Sequence, residues 1–175
     1  MNEIANTGKL RTLLEELSKG KSIYVPVLIK LRSLKHPSFD DMTSESTLAG
    51  YSTDWAASLN KETLDSDYQM IWKNDFHGGL DRVCTIGRSR QNDFKIEDES
   101  VSANHALISL NRTRNGYVVK DLGSRNKTLL NGEVVVPHVN TSLWPGVVMA
   151  FGEAVYMFSE PSMLREISEV LESAR

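Results

Sequence analysis

The chain has 175 residues, of which 40% are hydrophobic, so it is long enough to form one ordinary domain with extensions. Its 20 Lys and Arg residues against 23 Asp and Glu residues give a net charge of -3. That balance offers no electrostatic basis for nonspecific binding to nucleic acid or to an anionic membrane surface. Any anion-binding site in this protein must therefore be local.

Cysteine usage and the N-terminal residues indicate the compartment. The single cysteine, Cys84, excludes an intramolecular disulfide, and its neighbours Val83 and Ile86 indicate a buried strand thiol. The N-terminus carries scattered charges without the apolar core of a signal peptide, and no apolar run approaches the roughly 18 residues of a membrane-spanning helix. The sequence thus predicts a cytoplasmic protein.

Residues 1–37 are predicted to be an N-terminal extension with one helix and one strand. Asn6 or Thr7 could cap the helix and Gly20 could end it. The run SIYVPVLIKL is rich in β-branched residues and predicts a strand, and Pro26 within it favours an edge position. The apolar helix face consists of leucines at helical spacing: Leu10, Leu13, Leu14 and Leu17.

The rest of the chain is predicted to contain a linker, a sandwich and a final helix. Residues 38–67 are acidic, rich in Ser and Thr and without clear periodicity, which predicts a linker. Residues 68–159 contain short apolar runs between turns, with Asn115-Gly116 and Asn131-Gly132 as candidate hairpin turns, which is typical of an antiparallel β-sandwich. Residues 160–175 predict a helix with an apolar face formed by Leu164, Ile167, Val170 and Leu171.

Three turns of the predicted sandwich carry residues suited to binding an anion. Gly87 would let the chain turn at the end of a strand, so that the guanidinium of Arg88 projects from a loop. Ser102 follows in a second turn, where a hydroxyl and backbone N–H groups suit phosphate oxygens, and His105 is placed to brace that turn. A third loop, DLGSRNKTLLNG, offers Ser124, Arg125 and Asn126.

These motifs follow one another in the order of a known family. Residues 68–159 contain Gly87-Arg88, the Ser-x-x-His run 102–105, the Asp-Leu-x-Ser-x-Asn run 121–126 and Asn131-Gly132. The pattern resembles the forkhead-associated (FHA) domain. The resemblance implies a mainly β fold, an FHA-like antiparallel β-sandwich of eleven strands, here with short N-terminal and C-terminal helices. It also implies binding to phosphothreonine-containing segments of proteins that a Ser/Thr protein kinase has modified.

The resemblance further implies roles for individual residues. Arg88 and Ser102 match the family's phosphate ligands, and Asn126 matches the residue that holds the main chain of the ligand. Arg125 stands where some members use Ser or Thr towards the phosphate. The positions implied to support the pocket are Gly87, His105, Ser124, Asn131 and Gly132.

Two departures from the family pattern keep a second interpretation open. Ala103 replaces a polar or basic phosphate ligand of many members, a loss that Arg125 could compensate. Lys127 replaces the usual Gly, so either the backbone tolerates a side chain there or the loop is shifted. The alternatives to a phosphothreonine reader are therefore a phospho-independent assembly module or a regulatory fragment of a larger effector protein.

Catalysis has no support in the sequence. Ser102 and His105 share one turn, no Gly-x-Ser-x-Gly motif presents a nucleophile, and the histidines have no cysteine partners at zinc spacing. We therefore predict no enzyme activity, no metal and no cofactor.

The linker could itself be a ligand. Its plain interpretation is a tether, but a kinase could modify one of its threonines, and a tether gives the captured site an effective concentration of about millimolar. The result would be autoinhibition or self-association through the phosphorylated linker. Its acidic composition argues against capture, because Glu97, Asp98 and Glu99 precede the Ser102 turn and disfavour acidic flanks. The candidate threonines are Thr43, Thr47, Thr53 and Thr63.

Overall fold

The computed structural model describes residues 5–31, 64–72, 82–111 and 116–173. These residues form mostly strands, together with two helices. The elements in chain order are β1 (Thr7–Lys9), α1 (Leu10–Ser18), β2 (Val27–Lys30), β3 (Asp67–Met70), β4 (Val83–Gly87), β5 (Phe94–Lys95), β6 (Ala106–Asn111), β7 (Gly116–Asp121), β8 (Thr128–Leu130), β9 (Glu133–Val134), β10 (Thr141–Leu143), β11 (Val148–Phe151), β12 (Ala154–Ser159) and α2 (Pro161–Ser173).

The strands form two sheets that pack face to face. One sheet has the order β1-β3-β2-β12-β11-β8-β9 and the other β10-β7-β6-β4-β5. The pairs are antiparallel except β4 with β5, which is parallel. This arrangement confirms the predicted antiparallel β-sandwich with N-terminal and C-terminal helices. Side chains from both sheets form the core between them, including Ile86, Phe94, Ile108, Met149, Phe151 and Phe158.

The N-terminal residues complete the larger sheet. Strand β2 lies between β3 and β12, so the edge position predicted from Pro26 is wrong. Pro26 precedes the first residue of β2, where its missing N–H removes no ladder bond, and its carbonyl accepts the Ile71 N–H at 3.0 Å. Because β2 pairs with β12, residues on both sides of the predicted boundary at residue 68 belong to one sheet. Most of the predicted linker, residues 38–63, lies outside the described residues.

The two helices pack together on the outer face of this sheet. All four leucines of the predicted α1 face are buried, and Ser168 of α2 donates a hydrogen bond to the Leu14 carbonyl at 3.1 Å. Lys9, not Asn6 or Thr7, occupies the N-cap of α1, because Thr7 already belongs to β1. Gly20, with φ of +85°, follows the end of α1 as predicted. Among the described residues, no helix is long and apolar enough to cross a membrane.

One predicted hairpin turn is confirmed. Asn131 and Gly132 join β8 to β9 with φ of +46° and +85°, the left-handed conformations that favour Asn and Gly. The Asn131 side chain also accepts the Val148 N–H at 2.9 Å, which ties the turn to β11. The other candidate turn, at Asn115, and the side chains of Val170 and Leu171 lie outside the description. The short strands β1 and β10 were not predicted.

Truncation of Leu164 tests how much the helix pair stabilises the domain. Leu164 of α2 is fully buried in the cluster that the two helices form with the larger sheet, so Leu164→Ala should lower the free energy of unfolding by about 2–5 kcal/mol. The exposed neighbour Arg165 supplies the control, and Arg165→Ala should change it by less than about 0.5 kcal/mol. Urea unfolding measures both. Equal stability of the two variants would show that the helix pair does not contribute to the cooperative fold.

Candidate functional site

Three loops meet at one end of the sandwich. They are the β4–β5 loop after Gly87, the β5–β6 segment from Ile96 to His105, and the β7–β8 loop from Leu122 to Lys127. Backbone hydrogen bonds join the first two, from Arg88 N–H to the Ser102 carbonyl at 3.0 Å and from the next N–H to the Ala103 carbonyl at 3.1 Å. The loops therefore hold one another in place.

Gly87 permits this close approach of two backbone segments. A Cβ atom at residue 87 would lie 2.3 Å from the Ala103 carbonyl oxygen and 2.9 Å from the Asn92 side-chain nitrogen. Gly87 is not among the described residues with positive φ, so its role does not depend on the left-handed backbone that glycine permits. Glycine is required here because any side chain would collide with the second loop.

The four predicted ligand residues converge on the segment 99–102. Arg88 Nε donates to the Val101 carbonyl at 3.2 Å. Arg125 donates its backbone N–H to Ser102 Oγ at 3.0 Å and its Nη2 to the Glu99 carbonyl at 3.1 Å. Asn126 Nδ2 donates to the Ser100 carbonyl at 2.8 Å. Residues from three loops are thus gathered at one place, as the sequence predicted for Arg88, Ser102, Arg125 and Asn126.

The free donors and acceptors of these residues define what the site can bind. The hydrogen bond of Arg88 uses Nε, so its exposed Nη1 and Nη2 groups have no partner among the described residues. Ser102 Oγ accepts one bond and keeps its own O–H to donate. Asn126 uses its amide N–H, which leaves Oδ1 to accept. A forked cation, a hydroxyl donor and a carbonyl acceptor suit a phosphate beside a peptide backbone.

His105 joins two of the three loops from a fully buried position. Its Nδ1 accepts the Ser102 N–H at 3.1 Å and its Nε2 lies 3.0 Å from the Lys127 carbonyl. These partners require the neutral tautomer with hydrogen on Nε2. Burial lowers the pKa of the imidazole, against the opposing effects of the Lys127 carbonyl and of Asp121. The ring also packs edge-on against Phe151, with centroids 5.6 Å apart.

Asp121 organises the third loop, a role that the sequence reading missed. Its buried carboxylate accepts hydrogen bonds from the N–H groups of Gly123 and Ser124 at 2.8 and 2.9 Å, and from the hydroxyls of Ser124 and Thr128 at 2.6 and 2.7 Å. Burial alone would raise the pKa of Asp121, but these hydrogen bonds lower it below its ordinary value. The Asp-x-x-Ser spacing, in which an aspartate bonds to backbone two or three residues ahead, was the available signal.

Lys127 has a left-handed backbone conformation. Its φ is +62°, in the left-handed region that side chains disfavour. Two hydrogen bonds to its carbonyl hold this geometry, from His105 Nε2 and from Gly152 N–H at 3.3 Å. The backbone therefore accommodates a lysine at positive φ. Ala103 is exposed, and its carbonyl accepts bonds from Ser89 N–H and from Asn92 Nδ2 at 2.7 Å.

A surface groove of about 300 Å³ lies beside Arg88. Side chains of both charges form its walls. Lys95, the last residue of β5, makes a direct ion pair with Glu97, two residues further along the chain. The lining residues are Arg88, Arg90, Lys95, Glu97, Asp98 and Glu99.

The fold and the loops define a β-sandwich whose candidate binding site lies at one end. Comparison with known proteins gives the same class, since the family model of the FHA domain matches residues 84–152. An FHA domain-containing protein of Arabidopsis thaliana is 36% identical over 69 residues, which cover 39% of this chain and 17% of that protein. Residues 84–152 therefore match the FHA domain, and the chain spans only a small part of the length of this relative.

Solved structures share the fold. The FHA domain of the CT664 protein from Chlamydia trachomatis superposes with a TM-score of 0.50 at 16% identity, over 78% of this chain and 98% of that one. An engineered FHA with Myc-pTBD peptide gives a TM-score of 0.52 at 16% identity, over 86% and 99% of the two chains. The alignments extend well beyond residues 84–152, in agreement with a sheet that includes the N-terminal strands.

Substitution of Lys127 tests whether its backbone is strained. Lys127→Gly should stabilise the native state by about 1–2 kcal/mol, because glycine has no steric penalty at positive φ. It should also cost about 0.5–1 kcal/mol, because glycine raises the conformational entropy of the unfolded chain. We expect the thermal midpoint to rise by up to about 4 °C. Lys127→Ala keeps the φ penalty and should change little, whereas Lys127→Val should lower the midpoint because a β-branched residue resists positive φ. A lower midpoint for the glycine variant would contradict this account.

The pKa shifts of His105 and Asp121 predict that acid destabilises the fold in two steps. Below pH 6.5, the ordinary value for His105, the unfolded chain takes up a proton that the native imidazole resists, so stability falls. Below 3.8, the ordinary value for Asp121, the same holds for its carboxylate. Urea unfolding across pH should show both losses. An NMR titration should give His105 a pKa below 6.5, and a value at or above it would contradict the prediction. The control variant His138→Asn retains His105 and should still show the first loss of stability.

Proposed function

We propose that this protein is a phosphothreonine-dependent protein-binding module that reads partners modified by a Ser/Thr protein kinase. FHA domains are binding modules, and the proposal for this chain rests on one observation. Arg88, Ser102, Arg125 and Asn126 come from three loops to one segment, and the Nη groups of Arg88 remain exposed and uncommitted. The peptide in the similar engineered FHA supports a peptide ligand.

Each residue has a distinct role in the proposed complex. Arg88 binds two phosphate oxygens through Nη1 and Nη2, and Ser102 donates its hydroxyl to the third. Arg125 adds a second positive charge near a phosphate that carries between one and two negative charges at pH 7. Asn126 accepts a peptide N–H through Oδ1 while Ser100 holds its amide nitrogen.

The departure at Ala103 reduces the number of phosphate contacts without removing the pocket. The backbone of Ala103 still joins the first two loops, because its main-chain carbonyl accepts both hydrogen bonds, from Ser89 N–H and from Asn92 Nδ2. We infer that Arg125 supplies the charge that the side chain at residue 103 lacks. A cytoplasmic location and the phosphorylated linker as a ligand remain predictions, and the four candidate threonines lie outside the described residues.

Substitution of Arg88 tests the proposal. Charge-assisted hydrogen bonds contribute about 1.5–3 kcal/mol each, so Arg88→Ala should weaken phosphothreonine binding by about a hundredfold or more. Arg88→Lys should recover little, because an ammonium cannot reproduce the fork of a guanidinium. A degenerate library with a fixed phosphothreonine selects the peptide, and calorimetry then measures its affinity for wild type, both variants and the control Arg165→Ala.

Matched peptides separate the outcomes of this experiment. The unphosphorylated peptide should not bind, and the phosphoserine form should bind several-fold more weakly if a niche accepts the threonine methyl, which is worth about 1 kcal/mol. Equal affinity of wild type and Arg88→Ala would overturn the assignment. Equal binding of phosphorylated and unphosphorylated peptides would instead favour a phospho-independent assembly module.

A further inference from the structure

We propose that the end of the sandwich opposite the candidate phosphate site binds an arginine side chain of a protein partner. The arginine pairs with the carboxylate of Glu160 and lies against the aromatic side chains of Tyr117 and Trp144. These three residues and Trp72 are called the distal end below. The site needs no phosphothreonine, so it is separate from the proposed function.

The directions of two strands place the distal end away from the binding loops. Strand β7 ends at Asp121, which fixes the third loop of the candidate site, whereas Tyr117 lies near its beginning. The extended strand separates these two residues by about 13 Å. Strand β12 begins beside the turn at Gly152, whose N–H bonds to the Lys127 carbonyl of the same loop. Glu160 directly follows the other end of β12 and therefore lies on the same side as Tyr117.

The distal end presents aromatic rings. Tyr117 packs against Trp72 and Phe158, with ring centroids 5.8 and 5.6 Å away. Trp144 directly follows β10, whose last residue pairs with Tyr117, and it is 45% exposed. The Trp144 carbonyl accepts the Val147 N–H at 3.2 Å, and the Val147 carbonyl accepts the Phe158 N–H at 2.9 Å. This turn therefore lies beside the last residues of β12, where exposed Trp and Tyr side chains are typical of protein-binding surfaces.

Glu160 carries a charge that nothing described compensates. It is half-buried, and within the described residues its carboxylate makes neither a hydrogen bond nor an ion pair. Burial raises the pKa of this carboxyl. Burial likewise raises the pKa of the Tyr117 hydroxyl, and the charge of Glu160 raises it further, because the two groups are near each other. Trp72 Nε1 is buried and also has no partner within the described residues.

These groups favour a guanidinium over other ligands. A half-buried carboxylate without a partner costs stability, and a bound cation offsets that cost. The planar guanidinium forms two parallel hydrogen bonds to a carboxylate and stacks on aromatic rings, whereas an ammonium provides only a point charge. An acidic ligand would be repelled by Glu160. Charge complementarity and aromatic surface therefore select an arginine of the partner.

Peptide selection tests the distal end. A degenerate library of unphosphorylated peptides with a central arginine is selected on wild type, and calorimetry compares the selected peptide with its counterpart containing neutral citrulline. The arginine peptide should bind about fivefold or more tightly than the citrulline peptide. Glu160→Gln should abolish this difference, and Trp144→Ala should weaken binding of the arginine peptide by a similar factor. The control Glu166→Gln, which removes an exposed carboxylate of α2, should leave the difference unchanged.

Thermal unfolding separates a binding role of Glu160 from a structural one. Because its carboxylate is partly desolvated and unpaired, Glu160→Gln should keep or raise the thermal midpoint. A lower midpoint would reveal an intramolecular partner and would overturn the proposal. Arg112 and Arg114, which lie outside the described residues in the connection before β7, are then the partners to substitute.

The binding measurements give the other outcomes that would reject the site. These are selection of no arginine peptide, equal affinity for the arginine and citrulline forms, and a difference that survives in Glu160→Gln. Each of them leaves the phosphothreonine proposal intact, because that proposal is tested with phosphorylated peptides and Arg88→Ala.

Discussion

The candidate binding end of this protein depends on the hydrogen bonds of one buried imidazole. His105 accepts from the Ser102 turn on one side and donates to the carbonyl of Lys127 on the other, so a single side chain sets the distance between two loops. Both bonds require a neutral ring, and burial favours the neutral form by lowering the pKa. Through these bonds Ser102 is brought within 3.0 Å of the Arg125 N–H.

The other residues of the site surround these two hydrogen bonds of His105, and one of them, Lys127, has a strained backbone. Lys127 holds a left-handed backbone that disfavours side chains, and its carbonyl is held there by His105 and Gly152. Asp121 collects four hydrogen bonds and fixes the start of the same loop. The candidate binding residues can project from loops here because buried polar groups fix those loops and lower the entropy that a ligand would otherwise have to remove.

The charge pattern of the groove differs from the pattern that the local sequence shows. Glu97, Asp98 and Glu99 are contiguous, so they read as an acidic patch. Arg88 and Arg90 come from the β4–β5 loop, and Lys95 reaches Glu97 because the two are two residues apart along an extended segment. Electrostatic potential depends on distance in space, and the parallel pairing of β4 with β5 brings the opposite charges together.

The sequence by itself determined most of the strands, though not β1 and β10, as well as the Asn131-Gly132 turn and the residues gathered at the site, because alternation, turn chemistry and motif order are local properties. Only the tertiary structure decided that β2 is an interior strand, that Gly87 is needed for the approach of Ala103, and that His105 bonds to the carbonyl of Lys127. Strand neighbours, backbone clearance and buried hydrogen-bond partners involve residues distant in sequence. These contacts form only when the two sheets pack together, so they cannot be predicted from a short stretch of sequence.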